Sequence, residues 1–228
     1  MLNIKDLEVS YSDKTVLHDF HLNIQTGSIL GLLGRNGAGK TTLYNSIYQR
    51  IKPQKGQIHW KNQKIKTTDI AYLETHPYFY SYMTAKEYLQ LASNKNPSFP
   101  IDEWNKVFQL PLQEYATSYS TGMKKQLAFL ATIALDRPFL LLDEPFNGLD
   151  FESSEKLYRI LEKLRQQNKT ILVSSHIMET ITNICDEVAH LKEGQIAQKF
   201  IKSEFPSMEK SLRKEIYDEV DQHLDRLF

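Results

Sequence analysis

The sequence predicts an α/β fold: a core of parallel strands and helices, preceded by an N-terminal antiparallel β subdomain and interrupted by an inserted α-helical subdomain. Three observations carry this. An apolar run, Ile29-Leu30-Gly31-Leu32-Leu33, passes through a glycine-rich turn at residues 34–41 into the helix-forming Thr42-Leu43-Tyr44-Asn45-Ser46-Ile47. A second apolar run, Phe139-Leu140-Leu141-Leu142, stops at two carboxylates, Asp143 and Glu144. Helix-like and strand-like segments then alternate, as they do when crossover helices join parallel strands.

Residues 3–11 and 16–24 alternate apolar and polar side chains around a polar turn at Ser12-Asp13-Lys14, which predicts an antiparallel edge ahead of the glycine-rich turn. Residues 43–50 read as a helix ending before Pro53 and Gly56, and 57–60 and 69–73 as short strands. Over 77–117 the pattern becomes helical, with Thr84 and Glu87 forming a capping box ahead of Tyr88, Leu89 and Leu91; this is the inserted subdomain. A strand at 139–142, a helix at 152–167, a strand at 170–174, a helix after His176 and a hairpin closing at Lys192-Glu193-Gly194 complete a domain of residues 1–206. In the remaining 207–228, Met208, Leu212, Ile216, Val220, Leu224 and Phe228 recur every fourth position on an otherwise charged helix. That stripe must bury, on the parent domain or on a partner; its mixed charges argue against a helix lying in a membrane interface.

Composition narrows the partners. Lys plus Arg, 28, equals Asp plus Glu, 28, so the chain lacks the basic surplus of a nucleic-acid binder. Cys185 is the only cysteine, which excludes an internal disulfide and fits a reducing compartment. No stretch approaches the roughly 20 apolar residues of a spanning helix, and the N-terminus lacks the apolar core of a signal peptide, so a cytoplasmic protein is expected.

The turn reads G-R-N-G-A-G-K-T, the form G-x-x-x-x-G-K-[ST], and its chemistry follows from its place between a strand and a helix. Gly34, Gly37 and Gly39 permit left-handed or crowded backbone, so the loop of Arg35, Asn36 and Ala38 can aim successive N–H groups at a polyphosphate where the helix dipole begins. Lys40 would reach the β- and γ-phosphates, Thr41 would ligate Mg²⁺, and Thr42 opens the helix behind them. An apolar strand that ends in carboxylates places them at the sheet's carboxyl edge, where open α/β folds bind ligands. Asp143 would then hold Mg²⁺ and Glu144 would polarise an attacking water as general base; alone, this stretch would read first as a solvated acidic turn before Pro145, but beside an intact phosphate loop the catalytic reading is favoured.

Over residues 2–200 these motifs, in this order, resemble the ATP-binding cassette ATPases, built on a P-loop NTPase core. The resemblance implies that Tyr11 stacks on adenine, that Ser120 and Gly122 in 118–126 form the family signature, and that Asp150 of Asn147-Gly148-Leu149-Asp150 lies in the loop crossing a dimer interface. It also implies that His176 contacts the γ-phosphate. Two departures stand out. The usual Leu-Ser-Gly-Gly-Gln is here Tyr119-Ser120-Thr121-Gly122-Met123, a pattern similar to cassettes of exporters with separately encoded membrane subunits. Ser120 can still cap the following helix and the Gly122 amide can still face a phosphate. Where the family places a glutamine that meets Mg²⁺, the register offers Thr75, with Glu74 beside it.

One phosphate loop and one signature per chain imply a dimer, of two such chains or of this chain with a related cassette, closed by ATP. A transporter role would require a separate membrane permease, placing the chain peripherally on the cytoplasmic face. Tyr78-Phe79-Tyr80-Ser81-Tyr82-Met83 follows the variant loop, where the permease would dock, and the same residues suit the subdomain's own core. A soluble cassette ATPase driving an assembly process, such as iron–sulfur cluster assembly, would share every motif. A tandem-cassette translation factor needs a second phosphate loop, and a GTPase needs an acidic residue after Asn168-Lys169-Thr170, where Ile171 stands.

Overall fold

The computed structural model describes residues 1–12, 14–225 and 227, so Asp13 of the predicted turn and Phe228 of the predicted stripe lie outside the described residues, as do Arg226 and the side chains of Glu219, Gln222 and His223. Two sheets form the scaffold. β1 (Leu2–Tyr11), β2 (Lys14–Ile24), β4 (Lys55–Trp60) and β5 (Gln63–Lys64) make an antiparallel sheet of order β2-β1-β4-β5. The larger sheet has the order β10-β9-β3-β8-β7-β6, built from β3 (Ile29–Leu33), β6 (Ile70–Leu73), β7 (Phe139–Asp143), β8 (Thr170–Ser175), β9 (Glu187–Lys192) and β10 (Gln195–Ile201). Its strands run parallel except β10, which returns antiparallel at one edge.

The parallel strands are buried on both faces, so they read as continuous apolar runs. Phe139, Leu141, Leu172, Leu30 and Leu32 face the antiparallel sheet and α1 (Lys40–Ile47), in one core with Leu43, Tyr44 and Ile47. Leu140, Leu142, Ile171, Val173 and Ile29 face a second core shared with α2 (Ala85–Ala92), α4 (Thr121–Ala134), α5 (Phe151–Gln166), α6 (Met178–Ile184) and α7 (Phe205–Leu224). Gly31 is required where α6 crosses β3: a Cβ there would lie 2.4 Å from Ile181 Cγ2 and 2.9 Å from Cys185 Sγ.

Some expected boundaries move, for local reasons. α1 stops at Ile47 rather than at 50 because Gln49 takes φ 63° and the Arg50 amide bonds back to Asn45 O. β4 begins at Lys55, before the expected 57, because Lys55 pairs with Glu8 across the sheet. The expected insertion contains α2 and α3 (Ile101–Phe108) between the bridged residues Thr84 and Tyr115. The Thr84 capping box forms, Glu87 N donating to Thr84 Oγ1 at 3.2 Å and Thr84 N to Glu87 Oε2 at 2.8 Å. The insertion nevertheless has no core of its own, because Leu89 and Phe108 pack in one cluster with Phe129 of α4. The C-terminal helix starts at Phe205 rather than 207 and divides its stripe: Met208 and Leu212 are buried, whereas Ile216, Val220 and Leu224 are 44%, 43% and 41% exposed.

Candidate functional site: a phosphate loop facing an acidic strand end

At the carboxyl edge of the parallel sheet, α1 starts immediately after Gly39, whose φ of 113° is open to glycine and strained for other residues. A Cβ on Gly39 would also meet Leu17 Cδ2 at 2.8 Å, so β2 leans on the loop. The loop exposes Arg35, Asn36 and Gly37, with Gly34, Gly39 and Lys40 buried and Ala38 between; Ala38 N donates to Arg35 O at 3.2 Å. Lys40 Nζ curls over the loop to donate to Gly34 O at 2.7 Å and stands 3.4 Å from Glu144 Oε1. Thr41, exposed, donates its hydroxyl to Asp143 Oδ2 at 2.9 Å, while Thr42 is buried in the first turn of α1. Tyr44 ties the next turn to the strand ends, its hydroxyl reaching Leu142 O at 3.3 Å and Leu172 O at 3.1 Å.

The acidic pair is organised by a residue that the sequence reading passed over. Ser174 pairs in register with Asp143, and its hydroxyl donates to Asp143 Oδ1 at 2.6 Å while accepting from Glu144 N at 3.0 Å. Only the parallel register of β7 and β8 reveals this. Glu144 adopts φ 50°, an unfavourable conformation for a non-glycine residue that this bond helps to hold. Its side chain turns inward: Oε2 lies 3.0 Å from His176 Nδ1, and Oε1 is buried without a hydrogen-bond partner among the described residues. Asp143 is 1% exposed and Glu144 8%, whereas the His176 side chain is 42% exposed.

A carboxylate and a hydroxyl, each already held by a neighbour, form a hard oxygen set suited to Mg²⁺. Thr41 and Asp143 fit that ion, and the orphaned Glu144 Oε1 fits a water as its missing donor. Mg²⁺ there would supply charge neutralisation for phosphate oxygens.

The other expected site residues fall into separate groups. Tyr11, 48% exposed, pairs with Lys14 in the hairpin whose second strand leans on the phosphate loop. Ser120 caps α4, accepting from Met123 N at 3.2 Å, and Asp150 caps α5, accepting from Ser153 N at 2.7 Å. These two helix starts abut: a Cβ on Gly122 would meet Gly148 O at 3.2 Å, and Gln126 Nε2 donates to Ser153 Oγ at 2.6 Å. Within one chain this pair of helix starts is not joined to the Lys40 and Asp143 cluster by any of the bonds described above. Thr75 is half-buried, and its carbonyl accepts from Lys125 Nζ at 2.8 Å. Glu74 meets a basic group of its own chain: Arg50 Nη2 lies 2.6 Å from Glu74 Oε1. Arg50 also stacks over Tyr48 and Tyr72, 5.3 and 5.4 Å from the ring centroids. Arg50 and Lys125 were missed because lone basic residues in helical stretches carry no sequence signal. Glu74, Tyr78, Tyr80 and Tyr88 line a cleft of about 330 Å³ beside α2 and α4.

A phosphate loop at the carboxyl edge of a parallel sheet, bonded to an acidic strand end, defines a P-loop NTPase. Residues 17–147 match the family described as ABC transporter. The bacitracin transport ATP-binding protein BcrA of Bacillus licheniformis is 32% identical over 213 residues, covering 87% of this chain and 69% of that protein. ABC transporter ATP-binding protein YtrB of Bacillus subtilis (strain 168) is 29% identical over 205 residues, covering 86% of this chain and 70% of that protein. A solved ATP-binding subunit of an ABC transporter superposes with a TM-score of 0.83 at 27% identity, over 97% of this chain and 99% of the other. The chain belongs to the ABC transporter family and is an ATP-binding cassette of the ATPase class.

Proposed function

We propose that this chain hydrolyses ATP with Mg²⁺ to drive a separately encoded membrane permease, as the energy-converting subunit of an exporter. One observation carries the reading: Lys40, Thr41, Asp143, Glu144 and His176 meet at one sheet edge, in a chain where no described helix is long and apolar enough to cross a membrane. Lys40 leaves the Gly34 carbonyl to hold the phosphates, and the loop amides and α1 dipole share their charge. Thr41 and Asp143 are the residues that would hold Mg²⁺, with Thr75 alongside. Glu144 accepts the proton of the attacking water, and His176 holds the Glu144 carboxylate while meeting the γ-phosphate.

Tyr11 takes the purine. Ser120, Gly122 and Asp150 serve the nucleotide of a second cassette, identical or related, so ATP closes the dimer and hydrolysis reopens it. The aromatic cleft by Glu74 receives the permease, which holds the chain at the cytoplasmic face of the membrane. BcrA and the lantibiotic transport protein SrtF, 28% identical to this chain, make an antimicrobial peptide the first cargo class to test. The test is copurification from membranes: a spanning partner that raises the ATPase rate is expected, whereas soluble assembly partners alone would replace this reading.

A further inference from the structure

We propose that Lys125 is a positioning residue for hydrolysis: its ammonium pins the main chain of Thr75 beside the acidic edge and sets a fixed positive charge facing Asp143 and Glu144. This rests on the reading of that edge as the hydrolytic site.

Lys125 is 4% exposed, on the face of α4 that continues into the core as Ala128 and Phe129. A lysine in such a place ordinarily extends its stem and returns its head to water. Here the head stays inside and donates to Thr75 O at 2.8 Å. A neutral carbonyl satisfies one of three N–H donors and cancels none of the charge, so the hydrogen bond alone does not compensate the burial. No ion pair among the described residues includes Lys125. The acidic groups at this sheet edge are Asp143 and Glu144, at the end of the strand that pairs with the one leading to Thr75.

Sheet register explains the meeting point. Leu73 at the end of β6 pairs with Leu142 of β7, so residues 74 and 75 leave the sheet alongside 143 and 144. Glu74 turns away to Arg50, which leaves Lys125 as the contact holding the Thr75 main chain. Two carboxylates at this edge repel a polyphosphate. A buried cation offsets them without occupying a metal or phosphate position, and its effect is undiluted by solvent.

The test compares Lys125→Met, which removes bond and charge, with Lys125→Gln, which keeps a donor for Thr75 O and removes only the charge. Steady-state hydrolysis by the full chain is followed against ATP and Mg²⁺, with Glu144→Gln as reference. We expect the Met variant to lose at least about tenfold in kcat, with KM for ATP within about threefold of parent and a higher Mg²⁺ concentration for half-activation. The Gln variant should recover the Mg²⁺ dependence but not the kcat. Parent kcat in the Gln variant would overturn the charge role. Parent Mg²⁺ dependence in the Met variant would overturn the pinning role. Should the Met variant not fold, the Gln variant's kcat decides the proposal. Parent activity in Glu144→Gln would instead overturn the hydrolytic reading of the edge, a result distinct from failure at Lys125.

Discussion

The Glu74 carboxylate and the Arg50 guanidinium stand 2.6 Å apart at the rim of the aromatic cleft, joining the loop after β6 to the trailing end of α1. Both side chains are almost half exposed, so the pair contributes at most about 1 kcal/mol to stability. In the proposed docking role its value lies in a charged, oriented surface beside Tyr78 and Tyr80. Glu74→Ala should therefore shift the melting temperature little and leave hydrolysis by the isolated chain near parent. Permease-stimulated hydrolysis in reconstituted membranes should fall, and a stimulated rate equal to parent would remove Glu74 from the docking surface.

Glu144→Gln preserves the shape of a side chain that is nearly buried and removes its basicity. Hydrolysis should drop roughly 10²- to 10⁴-fold while ATP still binds. The variant should then elute as a dimer with ATP and as a monomer without it. Hydrolysis near the parent rate would reassign the base.

Asp143 accepts from Thr41 and Ser174, and an amide at this position offers donors where donors already point. Asp143→Asn should abolish the Mg²⁺ dependence of hydrolysis together with most of its rate, as chelation by EDTA should in the parent. Unchanged Mg²⁺ titration curves in the variant would show that the ion is held elsewhere.

Tyr11 is exposed at a hairpin that borders the phosphate loop, the setting for a stacking platform. Aromatic stacking on a base is worth about 1–3 kcal/mol, so Tyr11→Ala should raise the ATP dissociation constant at least several-fold, with Tyr11→Phe near parent. Calorimetric titration reads the difference, and equal affinities in all three proteins would take Tyr11 out of the site.

Gly31→Ala inserts a methyl where Ile181 and Cys185 already stand, an overpacking expected to destabilise by about 1–3 kcal/mol. A lowered thermal midpoint is the expected readout. If α6 yields and the midpoint is unchanged, the β3–α6 contact is softer than its distances indicate.

The parallel core and phosphate loop were legible because burial on both faces writes uninterrupted apolar runs, and because the glycines of the loop are demanded by backbone geometry. Asp143 and Glu144 were legible as the end of such a run. Ser174 was not, because its role comes from strand register, which pairs residues 31 positions apart in the chain. Lys125 and Arg50 were illegible for another reason: a lysine or arginine looks the same in sequence whether its head lies free in water or is held by a neighbour, as Thr75 O holds Lys125 and Glu74 holds Arg50. The apolar stripe of α7 shows a second limit: periodicity does not say where cover ends, and among the described residues it ends after Leu212.

Gly122 and Gly148 stand where the starts of α4 and α5 leave little room for a side chain. The starts of α4 and α5 leave a methyl on Gly122 only 3.2 Å from Gly148 O and are cross-bonded through Gln126 and Ser153, so under the proposed dimer the two segments would meet a second cassette as one block. Under that reading association is expected to be a single step, and a side chain wedged at either glycine should split it in two, seen as a lag between the two contacts in a stopped-flow trace.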